Sequence, residues 1–125
     1  MLPHFDSDLE ARGAPAPVEA WRKALSESDA VLIASPEYGH SLPGSLKNAI
    51  DWVIGSGELH EKPVAITAAV PAPERGRLGL RALRDTLEAV DALIVGGTPI
   101  ARGPGVDQEV RNLVLALVKQ VRARQ

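Results

Sequence analysis

A chain of 125 residues is the size of one domain, with room for a single hydrophobic core and too little for two. Its 14 Lys and Arg stand against 16 Asp and Glu, and no basic stripe gathers to displace phosphate counterions, so nucleic acid is not an expected partner. The absence of cysteine excludes disulfides, thiolate zinc sites and a cysteine nucleophile and accords with a cytoplasmic protein, while no apolar run approaches the roughly 20 residues of a membrane-spanning helix.

At the start of the chain, Pro3, Gly13, Pro15 and Pro17 fall among acidic side chains, which predicts an irregular lead-in over residues 1–17. Met1-Leu2-Pro3-His4-Phe5-Asp6 has no basic stretch followed by an apolar one, so an export signal is not expected. Val18, Trp21 and Leu25 keep helical spacing and predict a first amphipathic helix that fades at Ser26-Glu27-Ser28. Ala30 to Ala34 is a continuous apolar run, the pattern of a parallel strand covered on both faces, and it stops at Ser35-Pro36. Pro43 suits the first turn of a second helix, whose face is Leu46, Ala49, Ile50 and Val53 and whose end is Gly55-Ser56-Gly57.

Lys62-Pro63 introduces a strand from Val64 to Ala69, since proline is tolerated at a strand's first position. A loop rich in Pro, Arg and Gly runs from Val70 to Gly79, followed by a helix striped by Leu80, Leu83, Leu87 and Val90. Ala92 to Val95 reads as a third strand closed by Gly96-Gly97-Thr98-Pro99. Val110, Leu113, Val114, Leu117, Val118 and Val121 stripe a last helix, whose basic end from Lys119 to Arg124 complements its dipole. Helices alternating with strands imply an α/β fold with a parallel sheet and right-handed crossovers. Ligands of such sheets bind beyond the carboxyl ends of the strands, here the loops Ser35 to Leu42, Val70 to Gly79 and Gly96 to Gly105.

In the first of these loops a proline turns the chain, and Glu37 to Ser41 offers consecutive backbone amides beside a helix N-terminus, a setting that favours electron-rich groups such as an isoalloxazine edge. The stretch Ser35-Pro36-Glu37-Tyr38-Gly39-His40-Ser41-Leu42-Pro43-Gly44-Ser45-Leu46-Lys47-Asn48-Ala49-Ile50-Asp51-Trp52 resembles the flavin-loop signature of the NADPH-dependent FMN reductase family, which includes quinone and azo-dye reductases. The resemblance continues more weakly through Lys62 to Ile66 and reaches back to Leu2 to Asp6. It implies a flavodoxin-like three-layer sandwich, FMN and NADPH as cofactors, and a quinone, azo compound or free flavin as electron acceptor. It further implies that Pro36, Glu37, Tyr38, Gly39, His40 and Ser41 lie along the flavin, with Ala68 and Ala69 approaching from the next strand's end. Association as a homodimer or homotetramer, through the helix from Leu46 to Trp52, is implied in the same way.

Two departures from that pattern carry expectations. Gly39 stands where the family has Asn, which removes an amide side chain while keeping the positive φ that Asn tolerates. Against a complete domain of this family, the first strand, the Gly-Ser-x-Arg phosphate loop, the first helix and the second strand are missing from these residues. The expectations are an unpaired apolar edge at Ala30 to Ala34, weak or no FMN binding by the chain alone, and a start that lies further upstream. The competing expectation is a non-catalytic, oligomerising fragment without cofactor.

Other residues invite blander readings. Tyr38 could be an ordinary loop aromatic, although its neighbours favour cofactor contact. Trp52 reads as a core or subunit contact, and Lys47 with Asp51 as a solvated ion pair or an interface pair. Arg75 and Arg77 could receive a phosphate of NADPH, but a charged solvated loop is the preferred reading. His40-Ser41 lacks a nucleophile elbow, which argues against a hydrolase, and neither His4 with Asp6 and Asp8 nor Leu59-His60-Glu61 completes a metal spacing. No protein side chain is expected to act as acid, base or nucleophile, because a flavin's own ring performs the redox step.

Overall fold

The computed structural model describes residues 1–125. In chain order it contains α1 (Ser7–Ala11), α2 (Ala16–Ser26), β1 (Val31–Ala34), α3 (Gly44–Asp51), β2 (Pro63–Thr67) and β3 (Ala69–Val70). These are followed by α4 (Arg77–Ala89), β4 (Leu93–Gly96), β5 (Ile100–Ala101) and α5 (Val106–Ala123). Strands β1, β2 and β4 form a parallel sheet in the order β1-β2-β4, with Val31 beside Val64 and Val64 beside Ile94. The fold is the α/β arrangement with a parallel sheet that the alternation of patterns predicts.

The two faces of the sheet are covered unequally. Strand side chains alternate, so Val64 and Ile66 point to one face, where they pack with Leu25 of α2, Ile50 of α3 and Leu80, Leu83 and Leu87 of α4 in one buried cluster. Val31 and Ile33 of β1 pack against that same cluster. Ala65 and Thr67 point to the opposite face, which α5 covers near β4: a Cβ on Gly96 would lie 2.6 Å from Leu113 Cδ1. Leu32 and Ala34 also belong to this second face, and there they are exposed, Leu32 by 45%. The strand read as covered on both faces is therefore covered on one, because α5 reaches β2 and β4 and leaves β1 open. As expected, β1 is an apolar edge strand of the sheet.

Residues 1–17 are not irregular throughout. Asp6 caps α1, its Oδ1 accepting from the amides of Asp8 at 2.8 Å and Leu9 at 3.2 Å, and α2 already begins at Ala16 after Pro15. Lys62 closes the other end of α2, its Nζ donating to Leu25 O at 2.8 Å and also to Ser28 O, where a cation suits the negative end of the helix.

The run Val64 to Ala69 is divided at Ala68. β2 ends at Thr67, and Ala69–Val70 pairs in parallel with Ile100–Ala101 as a second small sheet beyond the first. Ile100 N donates to Ala68 O at 2.8 Å and Arg102 N to Val70 O at 2.9 Å. Alternation within four residues could not announce this pair, since it depends on a partner about 30 residues away. Helices α4 and α5 also begin earlier than their apolar stripes, at Arg77 and Val106, because an opening turn needs no buried face.

Candidate functional site

The loop after β1 is built by pins at both strand ends. Ser35 N donates to Thr67 O at 2.9 Å, which continues the pairing of β1 with β2 by one residue, and the buried Thr67 hydroxyl donates to Thr98 O at 2.9 Å. Three consecutive carboxyl ends of the sheet are thereby held together. Beyond Pro36 the chain makes a two-residue hairpin: Tyr38 N donates to Ser41 O and Ser41 N to Tyr38 O, both at 3.0 Å. Gly39 (φ 57°) and His40 (φ 59°) form its tip, the left-handed pair of a type I′ turn.

This turn corrects the expectation of five consecutive free amides. Tyr38 and Ser41 spend theirs closing the hairpin, so the amides of Glu37, Gly39 and His40 remain without a protein acceptor. Helix α3 follows at once; Pro43 is its N-cap residue, one position before the first turn assigned from sequence. No side chain caps the helix, so its opening amides are free beside the loop. Between them lies a cavity of about 390 Å³ lined by Ser35, Pro36, Tyr38, Pro43, Ser45 and Leu46, together with Ile33 and Ala34. Tyr38 is 64% exposed and forms part of its wall.

A second, apolar groove of about 450 Å³ adjoins it at Ala34, running between the open face of β1 and α5. Leu32, Thr67, Ala69, Ile100, Val110 and Leu113 are among its walls, and Arg102 is its single charged one. The predicted site residues therefore divide. Pro36 and Tyr38 line the first cavity, Ala69 lines the groove, and Gly39 and His40 form the exposed turn between strand and helix. Ser41 closes the turn through its backbone. Ala68 is 1% exposed and its side chain belongs to the hydrophobic core, so only its neighbour Ala69 faces an open surface. The Glu37 carboxylate points away from both cavities and accepts from Gly79 N of α4 at 2.6 Å.

The second half of the motif has a structural task. Asn48 Oδ1 accepts from Phe5 N at 2.8 Å, while Asn48 Nδ2 and Trp52 Nε1 both donate to Pro3 O, at 2.9 and 2.7 Å. Trp52 is fully buried against an edge-on Phe5 ring, with centroids 5.0 Å apart, so within this chain it is core rather than a surface for another subunit. Arg22 joins the same corner, donating to Trp52 O at 2.8 Å and pairing with Glu10 at 2.6 Å. Lys47 and Asp51 form an ion pair of 2.7 Å on the outer side of α3. Arg75 and Arg77 are exposed and line neither cavity; sequence reasoning passed over Arg102, which does. No cluster of three or more His, Asp or Glu side chains is arranged to hold a metal, and no helix is long and apolar enough to cross a membrane.

The family model described as NADPH-dependent FMN reductase matches residues 1–104. A quinone reductase of Escherichia coli K12 is 37% identical over 97 residues, which make up 75% of this chain and 52% of that protein. An NAD(P)H-dependent FMN reductase of Pseudomonas aeruginosa is 42% identical over 96 residues, or 72% of this chain and 50% of that one. The chain spans about half the length of these curated relatives. Among solved structures, the flavoenzyme NAD(P)H:(acceptor) oxidoreductase FerB from Paracoccus denitrificans superposes with a TM-score of 0.77 at 28% identity, covering 97% of this chain and 74% of that one.

Proposed function

The chain belongs to the NADPH-dependent FMN reductase family, and on that premise we propose that it forms the ring-facing half of an FMN site in an NAD(P)H-dependent oxidoreductase acting on quinones, azo compounds or flavins. The observation that carries the reading is the type I′ turn after β1, whose free Gly39 and His40 amides stand beside a cavity walled by Pro36 and Tyr38. These features fit one part of FMN. The free amides of the turn and the opening turn of α3 are donors suited to the polar edge of an isoalloxazine, and the aromatic wall and the apolar surface at Ala34 and Ala69 suit its flat body. No basic side chain lines the cavity beside the loop, so a phosphate placed there would meet main-chain amides alone.

When bound, FMN supplies the two-electron chemistry between NADPH and the acceptor. The chain's residues would bind and orient it: Gly39 and His40 would donate from the main chain, Pro36 and Tyr38 would wall the cavity beside the turn, and Ala69 would line the adjoining apolar groove. None has to act as acid, base or nucleophile. We extend the reading to a cytoplasmic protein working as a homodimer or homotetramer, on the absence of cysteine and the family's habit of association.

Titration of riboflavin and FMN into the purified 125-residue chain, read as quenching of flavin fluorescence, tests this. Because no basic side chain lines the cavity to hold a phosphate, both flavins should bind weakly and with affinities within about threefold of each other. No quenching of either at several hundred micromolar would refute the ring-facing assignment. A preference for FMN of more than about tenfold would place a phosphate site within these residues.

A further inference from the structure

Helix α4 starts without a capping side chain of its own. Its N-cap is Gly76, in the left-handed conformation at φ 83°, and its first turn holds no acidic residue but opens on Arg77. A cation at the positive end of a helix is unfavourable, and the first amides of the helix require acceptors. The acceptor for Gly79 N comes from 42 residues earlier: Glu37 Oε1, at 2.6 Å. The approach extends to the backbone, since a Cβ on Gly79 would stand 3.0 Å from Glu37 Cβ, 3.1 Å from Glu37 Cα and 3.0 Å from Ser41 O. Gly79 is buried and Glu37 half-buried, so the contact between loop and helix is partly shielded from solvent.

We infer that Glu37 is a positioning residue: by capping α4 from outside, its carboxylate fixes the Tyr38 to Ser41 turn against the helix and so sets where Pro36 and Tyr38 wall the cavity. The inference rests on the reading of that turn as flavin-facing. It gives Glu37 a role through α4 rather than through the flavin, since its Oε1 accepts from Gly79 N. The helix gains the anion it lacks, and the loop gains an anchor at the residue before the hairpin.

The test compares wild type, Glu37→Ala and Glu37→Gln as 125-residue chains, by amide hydrogen exchange in NMR spectra and by riboflavin quenching. Glu37→Ala should speed exchange about tenfold or more at Gly79, and also at Tyr38 and Ser41, while weakening riboflavin about fivefold. Glu37→Gln keeps a carbonyl oxygen at the same reach and should restore most of both. If Glu37→Ala does not fold, Glu37→Asp, shorter by one methylene, carries the comparison. Unchanged exchange at Gly79, or altered exchange there with Tyr38, Ser41 and riboflavin unaffected, would overturn the inference. So would loss of riboflavin in Glu37→Gln with exchange intact, because the carboxylate would then touch the ring. If wild type itself fails to quench riboflavin, the flavin reading fails alone, and exchange at Tyr38 and Ser41 still decides whether the cap holds the turn.

Discussion

His40 is a non-glycine residue held at φ 59°, where a side chain is strained by roughly 1–2 kcal/mol against the neighbouring carbonyl. Gly39 before it bears the same sign of φ without that strain, and a Cβ there would meet nothing within 4 Å. The substitution His40→Gly should thus stabilise the chain by up to about 1 kcal/mol in urea denaturation, and Gly39→Asn should be neutral within about 0.5 kcal/mol. A destabilised His40→Gly variant would mean that the imidazole has a partner that outweighs the backbone strain. Gly79 presents the opposite case. Alanine is the better helix former by about 1 kcal/mol, but its Cβ would press on Glu37 and on the Ser41 carbonyl, a backbone atom that cannot swing aside. Gly79→Ala is expected to lower stability by about 1 kcal/mol net, with the steric term prevailing.

At the scale of elements, α3 is a clamp as much as the wall of a cavity. Through Asn48 and Trp52 it holds Pro3 and Phe5, and through Trp52 O and Arg22 it is tied to α2 and α1. Removing the whole indole from this buried corner should cost about 3–5 kcal/mol, whereas Trp52→Phe keeps most of the packing on Phe5 and loses one hydrogen bond, worth about 1 kcal/mol. Asn48→Ala loses two hydrogen bonds, should cost about 2 kcal/mol, and should release the Phe5 amide to fast exchange, which hydrogen-exchange NMR would register without global unfolding. Were Phe5 already unprotected in wild type, the clamp would not be formed in solution.

For the molecule as a whole, the decisive feature is the unequal covering of the sheet. One face is closed by α2, α3 and α4, while the other has α5 alone and leaves Leu32 and Ala34 of an edge strand beside an apolar groove. An exposed apolar edge offers unpaired backbone groups and greasy surface to another chain. The isolated 125 residues should accordingly associate as concentration rises, and Leu32→Lys, which sets a charge on that edge, should shift sedimentation toward the monomer. Equal association of the two chains would locate the contact elsewhere.

The α/β class, the parallel sheet, the helices from α2 to α5 and the loop after β1 were legible in the sequence, because each depends on local periodicity or on a short contiguous motif. Asp6 before Ser-Asp-Leu was a readable cap as well, hidden by the prolines and glycine around it. Long-range partners were not legible. The β3–β5 pair, the burial of Ala68, the turning of Glu37 toward Gly79 and the place of Arg102 each depend on a residue tens of positions away. The sequence by itself determined the family and which residues belong to the loop after β1. Only the tertiary structure decided which of them face the cavity and which hold it in place, since that follows from how the loop packs on α4, and packing is settled between elements rather than within them.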